Sequence, residues 1–202
     1  MHSRAYQQFL KEAEAEGREK ADGFDKNVLL SLTGEERASA SKLLLKLARQ
    51  GDDTAIDALE VYDSDEVRSS LASILTELPC PSRAHSEAAF VLWKITGDPD
   101  YEEALLKDLA EPYGVFRFVT INHLAETAGS EATIKSLKRV LQHDPEKLCC
   151  GAAARALLHF AGHWPDLNSR PAGLHEIIRG LWHDDRQKRE PAVAKVLELV
   201  GE

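Results

Sequence analysis

The chain lacks any apolar run near the ~20 residues that span a bilayer. Its first residues, Met1 to Gln8, are polar and hold no signal-peptide core, so neither membrane insertion nor export is expected. Cysteine is scarce. Cys80, Cys149 and Cys150 make no even framework, and the adjacent pair is poorly placed to bridge within one helix; reduced thiols in a cytoplasm are expected. Aromatic residues make up 6% of the 202, and few runs are rich in Val, Ile, Thr and aromatics. The nearest, Phe116 to Ile121, sits inside a longer helical pattern, which disfavours strands. Basic charge is in deficit: 25 Lys and Arg stand against 34 Asp and Glu, a net −9. That sign opposes general nucleic-acid binding and anionic membrane surfaces, and suits a basic partner or plain solubility. Catalytic signatures are missing as well: no Gly-x-Ser-x-Gly elbow and no glycine-rich phosphate loop occurs.

What the chain does contain is Leu and Ala, in patterns that favour helix, and a repeat. Segments beginning at Ala88, Thr120 and Ala153 align on Gly97, Gly129 and Gly162, spaced 32 and 33 residues apart. Leu92, Leu124 and Leu157 lie five residues before these glycines, and Ala89, Ile121 and Ala154 eight before. Leu105 and Leu137 occupy matching places beyond them, and an earlier copy places Gly51 and Leu59 in the same relation. Glycine accepts the left-handed conformation that ends a helix. Asp52, Asp98 and Ser130 directly follow three of the glycines and can cap the next helix, and Pro99 fits an early helical position. Each unit therefore reads as a helix, a short turn and an antiparallel helix. Such a pair cannot bury its apolar face alone, so units are expected to stack.

This pattern resembles the HEAT-repeat family and its armadillo-like relatives, from roughly Thr33 to Glu202. The resemblance implies an all-α fold, a right-handed α-α superhelix of about 10–11 helices, in a single domain over 1–202. Residues 1–32 would be an N-terminal cap helix and loop, and 33–202 the stacked helix pairs. The motif specifies architecture and says little of function; the leading expectation is a non-catalytic module whose curved surface grips a protein. DNA glycosylases, bilin lyases and assembly scaffolds share the fold type and stand as alternatives. Two departures are an extra helix near Ser64 to Leu78 and an expanded turn after Gly162.

Helices are expected near 3–17, 33–50, 53–62, 64–78, 83–96, 99–110, 113–128, 130–142, 145–161, 172–183 and 187–200. Thr33 with Glu36 reads as a capping box, and Asp144-Pro145-Glu146 as another helix start.

The main candidate site is acidic. Residues 52–66 hold Asp52, Asp53, Asp57, Glu60, Asp63, Asp65 and Glu66, with no Lys or Arg before Arg68. On a helix, Asp53, Asp57 and Glu60 share one face, while Ala55, Ile56 and Leu59 fall on another. Asp53, Asp57, Glu60 and Asp63 are thus candidates to dock a basic protein, such as a toxin or a component of a complex. The competing reading is a solvated face whose first-turn acids suit the helix dipole. Small size, no catalytic set and the acidic patch suit a bacterial immunity protein that neutralises a cognate toxin.

Other constellations are weaker. His159 and His163 have a helical ligand spacing, but Phe160 stands where a zinc-peptidase motif needs an acid, so no metal site is expected. His175-Glu176 is a lone His-Glu step, short of the paired steps of iron hydroxylases with this fold. Cys149 and Cys150 sit early in a helix, where a thiol pKa can drop, but the alanines that follow suggest close packing instead of catalysis. Neither cofactor nor enzymatic activity is expected. Trp93 reads as core, and Trp164 and Trp182 as rim packing or binding anchors. Arg186, Lys188 and Arg189 read as a solvated basic face.

Overall fold

The computed structural model describes residues 2–110, 116–169 and 171–201. Their regular structure is entirely helical, and no described helix is long and apolar enough to cross a membrane. Contacts divide the chain into two compact units, residues 1–104 and 105–202.

The first unit opens with α1 (Arg4–Ala13), α2 (Gly17–Ala21) and α3 (Lys26–Ser31), followed by α4 (Gly34–Arg49) and α5 (Asp53–Ala58). A 3-10 turn at Leu59–Tyr62 leads to α6 (Asp65–Glu77), α7 (Arg83–Thr96) and the start of α8 (Pro99–Ala110). Helix α4 packs on α5 and α6, and α7 packs on the same two. Spacing of three and four residues explains their buried stripes: Ala40, Leu44 and Ala48 on α4, and Val67, Leu71 and Ile74 on α6. With Phe9, Leu29, Ile56, Leu59 and Leu92 they form one continuous core. Polar side chains start the helices. Asp52, Ser64 and Ser82 accept from the backbone N–H of Ala55, Val67 and His85.

The N-terminal segment differs from expectation. Helix α1 ends at Ala13, and the stretch expected as loop holds α2 and α3. Asp25 caps α3 by accepting from Asn27, while Leu29 and Leu32 are buried beside Phe9. Six residues carry no clear helical period, so only packing stabilises such a turn. The capping box at Thr33 is also absent. Thr33 is the N-cap of α4 but makes no side-chain cap bond, and Glu36 instead accepts from the backbone N–H and hydroxyl of Ser3. A helix start from elsewhere in the chain has captured the carboxylate.

The second unit contains α9 (Arg117–Ala125), α10 (Glu131–His143), α11 (Lys147–Phe160), a 3-10 turn at Ala172–Leu174, α12 (His175–Gly180) and α13 (Arg186–Leu199). Helix α11 packs against α9, α10 and α13. Its Ala152, Ala153, Ala154 and Ala156 are all buried, which lets neighbouring backbones approach closely. The expected helix at 113–128 is shorter: 113–115 lie outside the described residues, and the helix ends at Ala125. The helix expected at 172–183 is a 3-10 turn and six α-helical residues.

Junction glycines adopt the expected left-handed backbone, with φ of 83° at Gly51, 69° at Gly97, 68° at Gly129 and 79° at Gly162. Asp52 and Ser130 cap the helices that follow, and Asp98 accepts from the Asp100 N–H beside Pro99 at the start of α8. In the second unit, Arg117 of α9 meets Asp144, just before α11, at 2.6 Å in a buried ion pair. Charge is divided unequally. Residues 1–104 carry 12 basic and 21 acidic groups, whereas 105–202 carry 13 of each.

Candidate functional site

Helix α5 and the 3-10 turn after it present the acidic stretch, and cations from distant segments meet it. Asp52 accepts from Ala55 N–H and Thr54 Oγ1, and pairs with Lys20 of α2 at 2.6 Å. Burial disfavours its carboxylate, but the Lys20 and Thr54 donors outweigh that cost and hold its pKa below the ordinary 3.8. Lys26, the first residue of α3, bridges Asp57 and Glu60 at 2.8 Å each. Lys94 of α7 grips the other oxygen of Glu60 at 2.6 Å. For Glu60, too, partial burial acts against the charged form, and the two ammonium groups still hold its pKa below 4.5. Lys26 shows the reciprocal effect: burial pulls its pKa down, and the two carboxylates carry it above 10.5.

The remaining candidates are also paired. Asp53 meets Arg83 of α7 at 2.7 Å, and Asp63 meets Arg68 of α6 at 2.6 Å. Asp53, Asp57, Glu60 and Asp63 therefore lie within one unit, each with an intramolecular cation. Their side chains keep 26%, 45%, 27% and 48% of their exposure, so all remain reachable from solvent. Lys26 lies 31 and 34 residues from its two acids. Sequence inspection overlooked it because no local spacing links it to them.

The histidine pair is committed elsewhere. His159 Nδ1 lies 2.6 Å from the Trp164 carbonyl, and His163 Nε2 lies 2.9 Å from that of Leu199. A carbonyl only accepts, so each of these nitrogens carries the proton. Each ring braces backbone. Both vicinal cysteines are buried, and burial pushes the Cys149 thiol up to about 12, far from a reactive thiolate.

Arg189 corrects the expected solvated face. It is buried, donating from Nη1 to Cys150 Sγ at 3.2 Å and from Nη2 to the Pro145 carbonyl at 3.0 Å. Arg186 of the same helix donates to the Gln142 carbonyl. Cations early in α13 thus tie it to the α10–α11 junction. Among the tryptophans, Trp93 is only half-buried and stacks on Phe90 with ring centroids 6.3 Å apart, so it is not full core. Trp164 is buried, whereas Trp182 is half-exposed. No protein-family model, curated protein or solved structure matches this chain.

Proposed function

We propose that the chain is a non-catalytic, HEAT-like helical solenoid that binds a basic protein, and specifically a bacterial immunity protein that neutralises a cognate toxin. The observation that carries this reading is the concentration of the whole net charge of −9 in residues 1–104, against a balanced 105–202. A unit with a net negative charge steers an oppositely charged protein and speeds its association. Recurrent helix–glycine–helix junctions support the solenoid architecture. Burial of Cys149 and the commitment of His159 and His163 to carbonyls support a role without chemistry.

In this proposal Asp53, Asp57, Glu60 and Asp63 face the partner. Its cations share carboxylates that already hold Lys26, Lys94, Arg68 and Arg83. Reversing these acids to Lys would set cation against cation and damage the fold together with the docking. Amide variants separate the two effects. The test is capture from a native lysate, followed by association kinetics of wild type and of Asp57→Asn/Asp63→Asn across a salt series. The expected partner is one small basic protein whose association rate falls steeply with salt and drops in the double variant. An acidic partner, or unchanged kinetics in the variant, would remove the patch from the account.

A further inference from the structure

Beyond that reading, the second unit contains a groove that the acidic patch does not involve. Trp164, residues 167–169 and Pro171 of the expanded turn, with α11 and α12, line an open groove of about 830 Å³, within the range of small-ligand sites. Trp164 and Trp182 line it together with Ile178, giving flat apolar surface. Trp164 is held in place, its indole N–H donating to the Ser169 carbonyl at 3.2 Å. Trp182 packs close over Gly151 of α11, where an added Cβ would lie 3.8 Å from its indole nitrogen, yet it stays half-exposed.

The charged lining has one sign: Arg155 and Arg179 contribute to it, beside the neutral Asn168 and Ser169, and no Asp or Glu does among the described residues. Arg179 is already balanced by Glu176 on its own helix. Arg155 is not. Its Nη2 donates to the neutral Asn122 Oδ1 at 2.5 Å, its Nε is buried without an acceptor, and no carboxylate pairs with it among the described residues. A partly buried guanidinium normally has a carboxylate or several carbonyls around it. Here the carboxylate is missing and two indoles stand beside the charge.

We propose that this groove binds a small, flat, aromatic carboxylate, its ring system against Trp164 and Trp182 and its carboxylate on Arg155. The ring takes the apolar walls, and the charge-assisted hydrogen bonds supply the counter-ion that the fold leaves out.

Titration of the 15N-labelled full-length chain with 2-naphthoate tests the idea, because the three indole N–H resonances report separately. The Trp164 and Trp182 signals should shift saturably, with Kd below about 1 mM, while Trp93 stays still. The neutral isostere 2-naphthamide should bind at least ~10-fold more weakly, and so should 2-naphthoate to Arg155→Gln. Trp182→Ala, altered at a half-exposed site and checked for an unchanged fold by its 15N spectrum, should also lose at least ~10-fold. Equal binding of acid and amide, equal shifts at Trp93, or no saturable shift by about 5 mM would overturn the proposal. So would full affinity in Trp182→Ala.

Discussion

At the residue scale, Gly129 shows how a turn and a packing contact can require the same atom to be absent. Its φ is 68°, and an added Cβ would lie 2.8 Å from the Phe160 ring. Gly51 has a similar left-handed backbone, but nothing lies within 4 Å of its Cβ direction. Gly51→Ala should therefore cost about 1 kcal/mol, from backbone strain alone. Gly129→Ala should cost about 3 kcal/mol, since Phe160 must also move. Urea denaturation of the two variants checks the difference, and equal midpoints would show that the ring gives way freely. The buried pair Arg117–Asp144 is the other sensitive point. Asp144→Ala removes a buried carboxylate from a buried guanidinium and should destabilise by up to about 3–5 kcal/mol in the same measurement.

At the element scale, the ion pairs around α5 have a definite pH signature. Glu60 and Asp52 titrate below their ordinary values of 4.5 and 3.8 in the folded chain. Their contribution to stability is therefore complete above those values and is lost as pH falls through the lower folded ones. Lys26 has the opposite sign: its contribution is complete below 10.5 and lost as pH rises through the higher folded value. The thermal midpoint should hold between pH 6 and 8, then drop below about pH 4.5. The acid drop should be shallower in Lys26→Met, which has lost the clamp already. An equally steep acid limb in that variant would assign the drop to other carboxylates.

The same elements show what sequence reading reached. Helices α6, α7, α8 and α10 were legible to within a residue or two, because each joins a capping residue or Pro99 to a three-four apolar period. Helices α2 and α3 were missed, since five or six residues cannot display a period. All four acids of the candidate site were legible as a cluster. Their cations were not, because Lys26, Arg83 and Lys94 reach them through tertiary packing. Arg189 was misplaced for a related reason: charge alone suggested solvent, and only the packing of α13 reveals its acceptors on Cys150 and Pro145.

At the scale of the whole molecule, two compact units differ in charge and in the chemistry they offer. Residues 1–104 hold the acidic excess, and residues 105–202 hold the aromatic groove with Arg155. Six of the eight histidines also fall in 105–202, so acidification adds positive charge mainly there. At the isoelectric point of about 5.4 the total is zero, yet the first unit should still be negative and the second positive. The acidic unit of one copy should then attract the basic unit of another, although no copy carries a net charge. Light scattering near pH 5.4 should show self-association that 0.5 M salt, at roughly a 4–5 Å Debye length, largely dissolves. Aggregation that survives the salt would have an apolar origin. Unequal partition of charge thus makes the protein's colloidal behaviour a property of its two halves, and buffers near that pH unsuitable for concentrating it.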